Sequence, residues 1–274
     1  MRAALSFLLI GLVVLLLASP AAARDLSELA ARAKRSVVRL DVKDSQGRDV
    51  STGSGFFVSS SGRIVTNQHV IDEAGAVEAL LHDGRRVPVK GVVAFDAERD
   101  VAIIQAEGDG YEPLQLGTSQ GAQAGDQVAV IGSPVGLAGT LSVGIISAVR
   151  ADGPKLEPEP GARFHTNAWS LQITAPISPG SSGSPVLDTK QGTVIGVAVG
   201  QRADGQALNF AVPVEHVRWL LDHAGSDAQP KPFAGAATPP GITRNLLYSL
   251  VFFGGLGLAW WLLSRGRRPR RKRA

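Results

Sequence analysis

Three separated segments of the sequence carry side chains that together make an acyl-transfer site. The first is Thr66-Asn67-Gln68-His69-Val70, downstream of Gly53-Ser54-Gly55-Phe56. The second is Asp96-Ala97-Glu98-Arg99-Asp100, where Asp100 leads straight into Val101-Ala102-Ile103-Ile104. The third is Pro179-Gly180-Ser181-Ser182-Gly183-Ser184-Pro185-Val186, a small-residue turn entering a strand. A serine hydroxyl is a weak nucleophile at neutral pH. It needs an imidazole to take its proton and a buried carboxylate to fix the imidazole tautomer and stabilise its charged form. His69, Asp100 and Ser182 supply those three parts. The turn around Ser182 can aim backbone N–H groups at one point, which suits an oxyanion. Gly180 and Ser182 are the expected donors, with Ser181 adjacent. Small residues are needed there because main chain must approach substrate closely.

Each of these residues has competitors. Asp96 rivals Asp100, but Asp100 adjoins the apolar strand and so can sit desolvated behind the ring. His82, His165, His216 and His223 lack motif context and read as structural or solvated. Ser181 is the neighbour to control for at Ser182. No His pair has the H-E-x-x-H spacing, acidic residues do not cluster as in a calcium loop, and the glycine-rich turns match neither a Walker nor a dinucleotide pattern. No metal or other cofactor is implied. The absence of Cys excludes a thiol nucleophile, a thiolate zinc site and a disulfide scaffold.

The elements that must hold these residues are short. Apolar stretches at 36–42, 55–58, 63–66, 77–81, 87–93, 101–105, 127–131, 142–149, 171–174, 186–187, 194–199 and 208–212 read as strands. Ser61-Gly62, Asp83-Gly84 and Asp204-Gly205 mark turns between them. Many short strands with Gly-rich turns predict an all-β sandwich or barrel. A helix capped by Asp25 or Ser27 opens the region, and another follows Pro213 with Val217, Leu220 and Leu221 on one face.

Charge and hydropathy divide the 274 residues into regions. The high basicity belongs to the end of the chain, where seven Lys and Arg fall within 265–273. Residues 24–243 hold 19 basic residues against all 24 acidic ones and are mildly acidic, which removes the support for nucleic-acid binding. Residues 1–23 read as a signal peptide: Arg2, an apolar core from Leu5 to Leu17, and Ala21-Ala22-Ala23 at the cleavage point. Residues 246–263 carry no charge; with Asn245 and Ser264 they reach the length of a spanning helix, flanked by Tyr248, Trp260 and Trp261. The basic tail, 265–274, would keep the C-terminus cytoplasmic and leave the catalytic region in the periplasm or extracytoplasmic space. Residues 225–244, rich in Pro, Gly and Ala, read as a linker before this anchor.

The order His69, Asp100, Ser182 resembles that of chymotrypsin-like serine proteases, and the surrounding text resembles the Deg/HtrA family of bacterial envelope proteases. The matching stretches are Gly53–Phe56, the TNQHV segment, the DVAII segment, Val128–Leu137, the PGSSGSPV segment and Asn209–Pro213. The resemblance implies a chymotrypsin-like double β-barrel with short flanking helices, its barrels at about 36–112 and 113–213 within a domain at 24–224, followed by a C-terminal transmembrane helix. It places His69 and Asp100 on the first barrel and Ser182 on the second. Family members usually read Gly-Asn-Ser-Gly-Gly-Pro at the nucleophile; here Ser181 and Ser184 stand at two of those positions. Nothing after the closing helix resembles the PDZ domain many members carry. The position six before Ser182, acidic where Lys or Arg is selected, is Pro176. Val197, Ala198, Val199 and Gly200 are the implied pocket wall, which favours a small or medium apolar residue before the cut. The implied function is a membrane-tethered serine endopeptidase acting on misfolded or regulatory extracytoplasmic proteins, with a homotrimer as the implied assembly. A non-catalytic binding or chaperone module on the same scaffold is the alternative, and the complete triad favours the peptidase.

Overall fold

The structure, a computed structural model, describes residues 26–133, 139–150, 170–201, 208–225 and 227–235. The signal-like segment 1–23, the apolar run 245–264 and the basic tail 265–274 lie outside the described residues. Among the described residues no helix is long and apolar enough to cross a membrane.

Twelve strands are described, in two closed barrels. The first contains β1 (Val37–Lys43), β2 (Asp49–Phe57), β3 (Arg63–Thr66), β4 (Ala76–Leu80), β5 (Arg86–Asp96) and β6 (Val101–Ala106), in the order β1-β2-β3-β6-β5-β4. The second contains β7 (Gln127–Gly132), β8 (Thr140–Arg150), β9 (Ser170–Ile173), β10 (Pro185–Asp188), β11 (Val194–Gln201) and β12 (Asn209–Pro213), in the order β10-β11-β12-β9-β8-β7. Helix α1 (Leu26–Lys34) precedes the first barrel, α2 (Gln68–Ile71) interrupts it, and α3 (Val214–Ala224) follows the second.

Strand alternation explains both barrels at once. Successive side chains on a strand point to opposite faces. In β6, Ala102 and Ile104 join the cluster inside the first barrel, whereas Val101 and Ile103 join the cluster shared by both barrels. β3 divides the same way at Ile64 and Val65, and β2 at Phe56 and Phe57. In the second barrel Val128 and Val130 face its lumen while Ala129 and Ile131 face the shared core. Strands buried on both faces therefore read as unbroken apolar runs. Each buried Ile or Phe contributes about 1.5–3 kcal/mol. The helices close the shared core from outside, α1 through Leu29 and Ala33 and α3 through Val217 and Leu220.

One segment departs from the sequence expectation. Of the span read as a linker, residues 227–235 pack on the first barrel. Lys231 and Val92 exchange both backbone hydrogen bonds, each 2.8 Å, and Gly235 N–H donates to Ala74 O at 3.0 Å. Phe233 is 6% exposed and belongs to the first barrel's core. The physical reason is that burial of one aromatic side chain in that core, with two backbone hydrogen bonds to Val92, outweighs the Pro and Gly composition around it.

Candidate active site

His69 stands on α2, the short helix that leaves the end of β3. Asp100 stands at the entry to β6, where the β5–β6 turn closes. These strands are neighbours, with Thr66 paired to Ala102, so thirty-one residues of separation collapse to contact. Asp100 uses both carboxylate oxygens on His69. Its Oδ1 accepts the backbone N–H at 2.8 Å, and its Oδ2 lies 2.6 Å from the ring Nδ1. With Nδ1 carrying the proton toward Asp100, Nε2 is left as the basic nitrogen. Asp100 is 5% exposed.

The backbone at Asp100 is left-handed, with φ 54°, a conformation that Asp tolerates better than most side chains. That bend returns the carboxylate toward α2. Asn67, wholly buried, donates its Nδ2 to Asp100 O at 2.8 Å and holds the bend from the other side. Asp96 does something different. It closes its own turn, accepting Arg99 N–H at 3.0 Å and the Arg99 guanidinium at 2.7 Å. Burial pushes its carboxyl up, but the Arg99 hydrogen bonds outweigh this and hold it below its usual value.

Two successive tight turns carry Ser182. Ser181 N–H donates to Ser178 O at 2.9 Å, with Pro179 and Gly180 between and Gly180 at φ 93°. Ser184 N–H donates to Ser181 O at 3.0 Å, with Ser182 and Gly183 between and Gly183 at φ 87°. A positive φ at the third position of such turns is why both sites are glycine. Gly183 has a second reason, since a Cβ there would meet Ser54 O at 2.0 Å.

These turns sort the expected oxyanion donors. Ser181 N–H is committed to Ser178 O, and a hydrogen spent inside the turn is not available to a substrate. Among the described residues no hydrogen bond takes up the N–H of Gly180 or Ser182. Because Ser181 O points at Ser184 N–H, the planar peptide turns Ser182 N–H the opposite way.

The Ser182 hydroxyl donates to Val199 O at 2.8 Å, and among the described residues no hydrogen bond joins it to His69. The cause lies in β11. Its register against β12 shifts between Ala198 and Gly200, which leaves Val199 as an extra residue in the ladder. Bulges of this kind re-aim groups beside active sites. Neighbouring backbone ties β11 to the same turn, Gly183 N–H to Ala198 O at 2.9 Å and Ala198 N–H to Ser184 O at 2.8 Å.

The residues expected to select substrate are placed as follows. Pro176 is exposed and Gly200 half-buried. Val197 and Val199 pack in the shared core, and Ala198 in the second barrel's core, all at most 2% exposed. What β11 presents to the Ser182 turn on the described residues is main chain.

Sequence reasoning gave no role to Ser54 or Asn67. Both lie in the motif stretches, and their only sequence signal was that position. Their partners, Gly180 and Asp100, are 126 and 33 residues away.

Residues 53–197 match the family of the trypsin-like peptidase domain. The chain is 40% identical over 169 residues to the Synechocystis protein named as serine protease HhoB, covering 61% of this chain and 39% of that protein. It is 35% identical over 201 residues to a DegP-like periplasmic serine endoprotease of Chlamydia trachomatis, covering 71% of this chain and 38% of the other. It thus spans under half the length of these curated relatives. Among solved structures, Deg5 superposes with a TM-score of 0.58 at 28% identity, covering 71% of this chain and 90% of that one. The HtrA-type protease AlgW with a tripeptide superposes with a TM-score of 0.63 at 27% identity, covering 74% and 64%. With a family match over more than half its length, the chain belongs to the trypsin-like peptidase family, with HtrA/Deg serine proteases as its homologues.

Proposed function

We propose that this chain is a serine endopeptidase in which Ser182 is the nucleophile, His69 the general base and acid, and Asp100 the group that orients the imidazole. The observation that carries this reading is the buried Asp100 carboxylate spending both oxygens on His69. A rotation about the Ser182 Cα–Cβ bond, between staggered positions, takes the hydroxyl from Val199 O toward His69 Nε2. Oγ then bonds to the scissile carbonyl carbon while its proton passes to Nε2. The N–H groups of Gly180 and Ser182 receive the oxyanion. Collapse breaks the C–N bond, and the proton on Nε2 goes to the departing amine. Water repeats the sequence on the acyl-enzyme, releasing the acid and restoring Ser182.

The cut is proposed to follow small or medium apolar residues, since Pro176 replaces the acidic residue that would select Lys or Arg. Chromogenic peptides ending in Ala or Val should be cleaved faster than peptides ending in Arg; the reverse order refutes this pocket. The same reading makes residues 1–23 a signal peptide and 245–264 a membrane anchor, with extracytoplasmic misfolded or regulatory proteins as substrates and a homotrimer as the assembly. Membrane fractionation of the full chain and of a chain ending at residue 244 tests the anchor.

A fluorophosphonate probe tests the nucleophile. Labelling of the purified protein at Ser182, lost in Ser182→Ala, is the expected result. The Ser182–Val199 hydrogen bond favours one second reading, a catalytically silent binding or chaperone module. Absence of labelling in folded protein, even with peptide activators present, would select it.

A further inference from the structure

Ser54 of β2 is wholly buried, and every polar atom it has is spent where the two barrels meet behind the nucleophile turn. Its N–H donates to Ser182 O at 2.8 Å. Its hydroxyl donates to Gly180 O at 2.7 Å and accepts Ser133 N–H at 3.0 Å. Its carbonyl accepts the Thr66 hydroxyl at 2.7 Å. Thr66 ends β3, three residues before His69, whereas Gly180 and Ser182 belong to the second barrel's turn. One residue of the first barrel therefore grips two carbonyls of the Ser182 turn, those of Gly180 and of Ser182 itself, and is itself gripped from the strand that delivers the imidazole.

We propose that Ser54 is a positioning residue for the catalytic turn, whose hydroxyl fixes Gly180 and, through it, the oxyanion donors relative to His69. This rests on the serine-endopeptidase reading above. The hydroxyl has one proton and gives it to Gly180 O at 2.7 Å. Peptide planarity then turns Ser181 N–H away from barrel one and onto Ser178 O, which completes the turn presenting Gly180 N–H. Displacing such a donor by a fraction of an ångström weakens the transition state far more than the bound substrate. The backbone bond from Ser54 N–H to Ser182 O survives substitution, so the hydroxyl can be tested alone.

The test is Ser54→Ala in the full chain, assayed with a peptide p-nitroanilide and with a peptide boronic acid as transition-state analogue. The expected result is kcat lowered about tenfold or more with KM within about twofold, because a misplaced donor costs less than the 10²–10³ of a deleted one. Boronate affinity and fluorophosphonate labelling rate should fall by the same factor as kcat. A raised KM at unchanged kcat, or unchanged boronate affinity, overturns the proposal. If Ser54→Ala does not fold, Ser54→Cys decides the matter, since the thiol fills the position and is a weaker donor; a wild-type kcat there overturns it. Loss of activity in Ser182→Ala alongside wild-type kinetics in Ser54→Ala removes the positioning role alone. Retained hydrolysis in Ser182→Ala removes the underlying reading as well.

Discussion

Asp100 meets His69 through two hydrogen bonds of different purpose. Oδ1 takes the backbone N–H at 2.8 Å and so locks the carboxylate to α2, while Oδ2 takes the ring Nδ1 at 2.6 Å and sets the tautomer. The first bond makes the second directional, because a carboxylate held at one oxygen presents the other at a fixed angle.

Asp100→Asn should therefore leave the fold intact and remove most of the activity. An amide nitrogen facing Nδ1 donates where an acceptor is needed and favours the wrong tautomer. The expected loss in kcat is about 10⁴-fold. Asp96→Asn is the control: it loosens the Arg99 turn without touching His69, and kcat should stay near wild type, because the Asp96 carboxylate bonds Arg99 rather than His69. Equal losses in the two variants would show that the turn, rather than the carboxylate at Asp100, matters.

Asn67 supports the same carboxylate from behind. Asn67→Ala strands the buried Asp100 carbonyl without its donor, which costs about 1–3 kcal/mol. Because Asp100 holds a left-handed φ of 54°, release of its carbonyl should also let the carboxylate swing off Nδ1. Denaturant unfolding should show the stability loss, and the pH profile of kcat should move with it. An unchanged profile would limit Asn67 to a structural part.

Much of this was legible before any coordinates, for a physical reason. The expected strands correspond one to one with the described strands because a strand buried on both faces must be apolar along its length, and such runs stand out between Gly-rich turns. Asp100 was separable from Asp96 because only Asp100 adjoins a strand buried on both faces. Other features carried no local signal. Ser54 reads as one more serine in a glycine-rich stretch, since its partners lie 126 and 128 residues onward and depend on how two barrels dock. The direction of the Ser182 hydroxyl depends on a bulge at Val199, which no residue preference announces. The packed segment 227–235 was hidden because its composition is that of a linker and a single side chain, Phe233, decides otherwise.

Ser184, two residues after Ser182, tests how tightly this turn is fitted. A Cβ added at Gly132 would lie 2.0 Å from Ser184 Oγ, 3.2 Å from its Cβ and 3.2 Å from Ser54 Oγ. Gly132→Ala should cost about 1–3 kcal/mol as an overpacked core does. Ser184→Gly should return most of that loss in the double variant, since it removes the nearest clash. A double-mutant cycle measures the coupling, and strictly additive effects would contradict the contact.

Acidification should weaken the fold in two stages. His216 on α3 is half-buried; burial and the Arg99 charge push it below its ordinary 6.5, against the pull of Asp96 and Glu215. Its folded value is the lower one, so the unfolded chain binds more protons in the window below about pH 6.5, and stability falls as pH drops through it. Glu215 is raised by burial but lowered more by Ser119 and Thr118, and Asp96 is likewise held low. Their contribution is present above their unfolded values and lost as pH falls beneath them. The thermal midpoint should decline first below about pH 6.5 and again in the carboxylate range. His216→Gln should flatten the first decline alone; an unaltered slope would assign it to another group.

The segment after α3 should be part of the folding unit. Three observations point the same way: Phe233 sits in the first barrel's core, Lys231 pairs with Val92, and a Cβ at Gly91 would meet Lys231 O at 2.1 Å. Glycine at 91 thus makes room for main chain rather than for a side chain. Phe233→Ala should cost about 3–5 kcal/mol, the range for a buried aromatic. Gly91→Ala should force the segment off β5 and also strain the backbone at φ 150°, so its loss should overlap that of Phe233→Ala and the double variant should lose less than the sum. Hydrogen exchange at Val92 and Lys231 would report the release directly. If a chain ending at residue 225 unfolds at the same denaturant concentration as one ending at 236, the segment contributes nothing to stability and the packing of Phe233 is incidental.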